Sequence, residues 1–282
     1  MSESEYLIAA NGTIFPLSEY GVRVTGLGGV PVEYAMVRGY GQDGVNVADY
    51  HLQPRTLTLS FELHGRRRKE LLALRQALLE VLSPAGGALT YRRVLPDGSR
   101  RDITCWVDAS LSVEDHFGGT SAQVGLTLFC PDPTFYDPKE HVADFVTVVA
   151  DAFVTPFYAP DEFWSSGGTT LGLTVENPGT WRAYPVIELR GDYQRAALHN
   201  VTTGALLVLG VAASAADTVI VDFRPGKRSV TRNGEPALAE VESGNMVDWY
   251  LKPGENVLQV LGGGFSASTR ARLTFHPRYL GL

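Results

Sequence analysis

Phe129-Cys130-Pro131-Asp132-Pro133-Thr134-Phe135-Tyr136-Asp137, near the middle of the 282-residue chain, is the stretch on which the predicted architecture depends. The residues before it, Gln123–Leu128, alternate polar and apolar as a half-buried strand does. Pro131 and Pro133 remove two backbone donors, so no regular strand ladder can pass through. By composition the stretch is typical of a domain linker. We therefore predict an N-terminal β domain over 1–137, a linking segment over 138–170 and a C-terminal β-sandwich over 171–282.

The composition indicates a globular protein rich in short strands. Hydrophobic residues make up 44% of the chain and charged residues 20%, with 30 Gly and 16 Pro to supply turns. Residues 1–140 carry 13 basic and 17 acidic side chains, and residues 141–282 carry 11 and 14, so both halves are acidic. A protein that binds nucleic acid through its phosphates normally shows a basic surface, so the acidic charge argues against binding of this kind. No leader-like or membrane-spanning apolar run is visible, so we expect no membrane insertion.

The N-terminal half is predicted to hold one helix among strands. Arg55–Leu63 alternates with period two over nine residues, which is typical of a strand buried on one face. From Arg66 to Leu82, leucine and valine recur every three or four residues and predict a helix, with Leu72 and Leu79 widening its apolar stripe. The basic run Arg66–Lys69 opposes the helix dipole. It is either a solvated first turn or a contact for an acidic neighbouring subunit.

The C-terminal half lacks a helical pattern. Val142–Gly168 is rich in aromatic residues and turn formers, and we interpret it as a crossing strand and loop. Asn233-Gly234 is a strong signal for a two-residue hairpin. Short strands at this spacing predict a two-sheet sandwich or jelly roll. The predicted strands are Leu171–Glu176, Tyr184–Arg190, Ala197–Val201, Ala205–Leu209, Thr218–Asp222, Ser229–Arg232, Val247–Leu251, Asn256–Leu261 and Thr269–Phe275.

The chain has two cysteines, Cys105 and Cys130, each within a predicted strand. Cysteine is among the most frequently buried residues, and a protein made in the cytosol keeps its thiols reduced. We expect two buried, reduced thiols. The spacing also permits a disulfide.

Several patterns resemble chemical sites without the context that such sites need. Gly39–Gly44 fits G-x-G-x-x-G, but the residues after it lack the helical periodicity that a dinucleotide site requires, which favours a turn between strands. The six histidines show no metal-ligand spacing, so we assign no metal, no cofactor and no catalytic residue. Glu176 and Glu188 lie on neighbouring predicted strands and could face each other as glycosidase acids do, although acids at strand ends are usually solvated.

Two tryptophans of the C-terminal half are candidates for sugar binding. An exposed indole offers a flat apolar face on which a sugar ring can stack. Trp181 and Trp249 are the candidate glycan-stacking residues. The alternative is that both rings belong to the core or to a domain contact.

Several segments follow one another along the chain in a characteristic order and spacing. They are Tyr40–Gly44 followed by Arg55–Leu59, the helix segment Arg68–Arg75, the junction Cys130–Tyr136, Asn177–Thr180 with Tyr184–Ile187, Asn200–Gly204, and Leu251–Asn256. Together they resemble the corresponding segments of the distal tail proteins of long-tailed phages (siphophages).

The resemblance implies a mainly β protein without catalytic residues. Its N-terminal β domain, with the one helix, would form a hexameric ring whose lumen continues the tail tube and passes DNA. Its C-terminal domain would be a galectin-like sandwich. The implied partners are the tail tube protein, the tape-measure protein and the hub, fibre or receptor-binding proteins, in a virion assembled in the bacterial cytoplasm. A carbohydrate-binding protein for host-surface glycans is the alternative function, and a glycoside hydrolase is a third.

Overall fold

A computed structural model describes residues 3–116, 119–148, 169–210, 212–266 and 268–282, and it divides the chain into two units. The first unit comprises Met1–Pro138 and Tyr279–Leu282, and the second comprises Lys139–Arg278. The protein is mainly β with one α-helix in the described residues, as predicted.

The first unit contains the strands β1 Ser4–Ile8, β2 Ile14–Pro16, β3 Arg23–Thr25, β4 Val32–Val37, β5 Asn46–Leu52, β6 Arg55–His64, β7 Leu89–Val94, β8 Arg100–Asp115, β9 Ser121–Cys130 and β10 Phe135–Tyr136. It is built on a nine-stranded sheet whose main path runs β2-β1-β7-β8-β9-β6-β3. Neighbouring strands on this path are antiparallel. Strands β4 and β5 form a separate two-stranded hairpin.

The helix α1, Arg68–Val81, closes the core of this unit. It packs against β2 at one end of the sheet and against β6 near the other, so the sheet must curl around it. Strand β6 supplies the alternation seen in the sequence, with every second side chain buried from Arg55 to Leu63. The core is largely aliphatic because alternate residues of a one-sided strand all face inward.

The second unit contains the strands β11 His141–Asp144, β12 Val146–Val148, β13 Thr169–Asn177, β14 Val186–Arg190, β15 Arg195–Asn200, β16 Ala205–Leu209, β17 Thr218–Asp222, β18 Ser229–Arg232, β19 Glu235–Pro236, β20 Val241–Gly244, β21 Gly254–Gly263 and β22 Arg270–Phe275. They form two sheets of six strands, in the orders β11-β22-β14-β17-β18-β19 and β12-β13-β21-β15-β16-β20. Apolar side chains of both sheets meet in one buried cluster, so the unit is a β-sandwich. Its galectin-like character stays a prediction. The last strand, β23 Arg278–Tyr279, pairs with β10 in the nine-stranded sheet.

The structure differs from the sequence expectation at three places. Strands β11 and β12, placed in the linking segment 138–170, instead pair with β22 and β13 as one strand of each sheet. The predicted strand Val247–Leu251 is not one; only Leu251 bridges, to Ala183. The last residues return to the first unit, where the Leu282 amide donates to the Leu27 carbonyl at 3.1 Å. The remainder of the crossing loop, 149–168, lies outside the described residues.

The predicted hairpin at Asn233-Gly234 is confirmed, since both residues have positive φ, 52° and 86°. Such a pair forms the two-residue turn whose twist matches that of its strands, here β18 and β19.

Candidate assembly surface

One face of the hairpin β4–β5 carries the larger apolar side chains, whereas the other carries polar residues together with Ala35 and Val37. Three apolar cross-strand pairs follow one another on one face, namely Val32 with Leu52, Tyr34 with Tyr50 and Met36 with Val47. The register shifts by one residue between the second and third pair. Because this bulge sits on the β5 side, it keeps Val47 on the apolar face. The opposite face carries the pairs Glu33 with His51, Ala35 with Asp49 and Val37 with Asn46.

Much of this apolar face is exposed to solvent in the described chain. Tyr34 is 51% exposed, Met36 61% and Val47 57%, and only Leu52 at the base is partly sheltered. A two-stranded hairpin alone is marginally stable in water, and apolar faces of this extent usually mark contacts with another molecule. We call the six residues of the three pairs the hairpin face. Sequence analysis missed it as a functional surface, although the alternation of Val32, Tyr34 and Met36 was its signal.

The glycine-rich motif Gly39–Gly44 forms the tip of this hairpin. The loop is held by polar contacts: the Arg38 Nε donates to the Gln42 carbonyl at 3.2 Å, and the Gln42 side-chain amide donates to Asn46 Oδ1 at 3.0 Å. Strand β5 follows, not a helix. The loop therefore lacks the helix N-terminus that would bind a pyrophosphate, and the turn predicted between strands is confirmed.

A second exposed surface lies on α1. Leu71, Leu78 and Val81 are buried, but Leu72 and Leu79 are 48% and 52% exposed. They do not widen the core stripe as predicted, because each lies about 100° around the helix from the buried residue before it, Leu71 or Leu78. Arg68 of the basic run and Arg75, about two turns further along the helix, both bind the Asp115 carboxylate, at 3.2 and 2.8 Å.

The hairpin and the helix carry opposite charge. The hairpin, residues 32–52, has three acids and one arginine, which gives −2, whereas residues 66–70 have four cations and one glutamate, which gives +3. We call Leu72, Leu79 and the run Arg66–Lys69 the helix surface. A single chain thus carries two different apolar patches of opposite charge.

At the junction, Asp132 organises the turn that the two prolines begin. Its carboxylate accepts from the Thr134 amide at 3.1 Å and from the Thr134 hydroxyl at 2.7 Å, and the Tyr136 hydroxyl also donates to it. Aspartate in this position replaces the hydrogen bonds that the strand ladder can no longer supply. The junction is therefore an ordered turn of the first unit.

The two candidate sugar-stacking tryptophans lie in different surroundings. Trp249 is fully buried, is stacked on Phe223 with ring centroids 4.7 Å apart, and donates its Nε1 hydrogen to the Leu198 carbonyl at 3.2 Å. No face of that ring is free for a sugar, so the core alternative holds for Trp249. Trp181 is half-buried and has the Arg182 guanidinium 5.1 Å from its ring centroid.

The other candidate chemical groups are not brought together. Glu176 lies on β13 and Glu188 on β14, in different sheets, so they are not paired as neighbouring strands would pair them. In the described residues, no three His, Cys, Asp or Glu side chains are grouped to hold a metal ion. No helix in the described part of the chain is long and apolar enough to cross a membrane.

Comparisons with known proteins agree on a tail component. The family model "Phage tail protein RIFT-related domain" matches residues 22–130, and "Siphovirus-type tail component, C-terminal domain" matches residues 178–279, which together are 211 of 282 residues. No curated protein sequence matches. Among solved structures, the chain is similar to the SPP1 Dit (gp 19.1) protein, which is described as a paradigm of the hub adsorption apparatus in phages infecting Gram-positive hosts. The two are 15% identical, with a TM-score of 0.67, over 97% of this chain and 98% of that one.

The baseplate of phage p2 in its activated conformation with Sr also matches, at 8% identity and a TM-score of 0.48 over 97% of this chain and 98% of that one. The similarity to SPP1 Dit is a similarity of fold. The two family models cover both units and describe phage tail components. On their evidence, the chain belongs to the siphophage distal tail protein family.

Proposed function

We propose that this phage tail component forms a hexameric ring that joins the tail tube to the hub and host-recognition apparatus. The ring would be built from the first units and would let DNA pass through its lumen. In this role the protein is structural and has no catalytic activity. It would be assembled in the bacterial cytoplasm with the tail tube, tape-measure and hub or fibre proteins.

The observation that carries the proposal is the uncovered hairpin face. A closed ring uses head-to-tail contacts, in which one patch of each subunit meets a different patch of the next. The hairpin face, on an acidic hairpin, and the helix surface, with its basic run, are two such patches. We propose that each hairpin face covers the helix surface of a neighbouring copy. This occupant fits because apolar residues meet apolar residues, and because the acidic hairpin meets a basic run that stays net positive after its ion pair with Asp115 is counted.

The acidic balance supports passage of DNA without capture. Six copies at −7 each carry −42 in all. Acids that face a lumen repel phosphates within a Debye length, about 8 Å at physiological salt. Such a lumen would guide a duplex without binding it.

The test compares Met36→Asp with Val37→Asp. Both residues are on β4 and similarly exposed, 61% and 59%, but Met36 is on the hairpin face and Val37 on the opposite face. Wild type and Val37→Asp should elute as particles of about six times 30.6 kDa by light scattering, with rings in negative-stain images. Met36→Asp should be a monomer with unchanged circular dichroism, because a buried unpaired carboxylate opposes association.

Two results would overturn the proposal: a wild-type protein that stays monomeric at every concentration, or a ring that tolerates Met36→Asp as well as Val37→Asp. A monomer with measurable affinity on a glycan array would favour the carbohydrate-binding alternative. Trp181→Ala would then show whether the half-buried Trp181 contributes to that affinity.

A further inference from the structure

We propose that Cys105 and Cys130 are the site of an intrachain disulfide, which closes once the protein meets an oxidising solution. Both are free thiols in the structure, fully buried, with their Sγ atoms 3.2 Å apart. The proposal concerns a covalent cross-link inside the first unit and does not depend on the ring.

The backbone already places the two residues correctly. Trp106 of β8 is paired with Phe129 of β9, and Cys105 and Cys130 are the next residues along these two antiparallel strands. Directly opposed residues in such a ladder have Cα atoms about 4.5 or 5.5 Å apart, and disulfides accept about 4.4–6.8 Å. A bond of about 2.05 Å therefore needs the sulfurs to approach by only about 1.2 Å, which side-chain rotation can supply.

The surroundings explain why the pair is slow to react in the folded protein. The hydrogen bond with Cys130, together with burial, raises the pKa of the Cys105 thiol. The thiolate is the reactive form, and both sulfurs lie beneath the sheet, away from solvent. The pair should stay reduced in a reducing cytoplasm and close when the first unit opens or folds in the presence of an oxidant.

The chemistry balances with a small-molecule disulfide such as oxidised glutathione. The thiolate of one cysteine attacks the reagent and releases one glutathione thiolate, leaving a mixed disulfide. The second cysteine attacks the mixed disulfide at the protein sulfur and releases the second glutathione thiolate. The two protons lost by the cysteines end on the two reduced glutathiones.

The cross-link would act where the β8–β9 ladder is weakest. The register of these strands shifts between Val107 and Leu111, so Trp106 and Val107 are the only paired residues of β8 between that irregularity and the cysteines. Cys130 is also the last residue of β9 before the junction. A disulfide would therefore fasten the end of the ladder from which the junction leaves.

The experiment refolds the full chain from denaturant with either oxidised glutathione or a reducing agent. The oxidised product should be lighter by two hydrogens and should resist alkylation. No Lys or Arg lies between Arg101 and Lys139, so trypsin leaves both cysteines in the peptide 102–139. Further cleavage at Glu114 should separate Cys105 from Cys130 only after reduction. The melting temperature of the first unit should rise by about 10 °C, since the bond closes a loop of 24 intervening residues.

Cys105→Ala and Cys130→Ala are the matched controls. Each should fold in reducing buffer, and the oxidant should not raise its melting temperature. Should either variant fail to fold, the peptide map of the wild type still decides. Two thiols that both remain open to alkylation after oxidative refolding would overturn the proposal, as would a cross-linked protein that melts below the reduced one.

Discussion

Replacement of Arg55 by alanine should destabilise the first unit more than any exposed substitution. Arg55 is only 2% exposed at the start of β6. Its guanidinium donates to the carbonyls of Gly26 at 3.0 Å and Gly28 at 3.2 Å, and also to that of Leu280. It lies 4.9 Å from the centroid of the Phe135 ring. One side chain thus ties together the loop after β3, the junction and the C-terminal residues.

The expected cost is about 4 kcal/mol. Each hydrogen bond to a charged group is worth about 1.5–3 kcal/mol, so the loss of three such bonds would by itself cost more than about 4 kcal/mol. The net cost is smaller because replacement by alanine also removes a buried charge, whose desolvation costs several kcal/mol. Arg55→Lys should lose about half as much, since it keeps the charge but cannot reach three carbonyls as a planar fork does.

Urea unfolding followed by far-UV circular dichroism measures the effect. With a urea slope of about 2 kcal/mol/M, the midpoint of the first unit should fall by about 2 M. The second unit should unfold at its wild-type midpoint, because Arg55 contributes nothing to its core. It is the internal control for expression and buffer.

A double-mutant cycle locates the cause. Deletion of residues 280–282 removes the acceptor at Leu280, so Arg55→Ala should cost about 1–2 kcal/mol less in the truncated chain than in the full one. A cost of Arg55→Ala below about 1 kcal/mol, or additive effects of substitution and truncation, would refute the reasoning.

Two further predictions concern the second unit. Trp249→Ala should cost about 3–5 kcal/mol by thermal or urea unfolding, whereas the half-buried Trp181→Ala should cost much less; equal costs would contradict the core position of Trp249. The hydrogen bonds from Ser214 and Asn233 lower the pKa of Asp217 to about 2. The ionised Asp217 therefore stabilises the fold fully above its pKa in the unfolded chain, near 3.9, and this stabilisation is lost as pH falls through about 2. The difference in melting temperature between wild type and Asp217→Asn should accordingly shrink from pH 7 towards pH 2. A gap independent of pH would contradict this.

Most of the fold could be predicted from local sequence patterns. Alternation over Arg55–Leu63, the leucine spacing of α1 and the Asn233-Gly234 turn each express a backbone period or geometry that neighbours in sequence determine. The return of the C-terminus to the first unit could not be predicted, because Arg55 and Leu280 are 225 positions apart. The strand predicted at Val247–Leu251 was wrong for a related reason. Trp249 is buried by packing on Phe223, between the exposed Asp248 and the half-buried Tyr250, so the sequence shows the period of a strand where no strand pairing exists.

From the sequence pattern alone, the exposed apolar face of the hairpin cannot be distinguished from the buried apolar face of a core strand. Val32, Tyr34 and Met36 occupy alternate positions as Leu57, Leu59 and Phe61 do, and both patterns predict a strand with one apolar face. In the folded chain the second set is at most 2% exposed, whereas the first is 38–61% exposed. The first unit has a core of its own, closed by α1, that does not use the hairpin. The apolar face of the hairpin is therefore available to another surface, and in the ring that we propose the helix surface of a second copy would cover it.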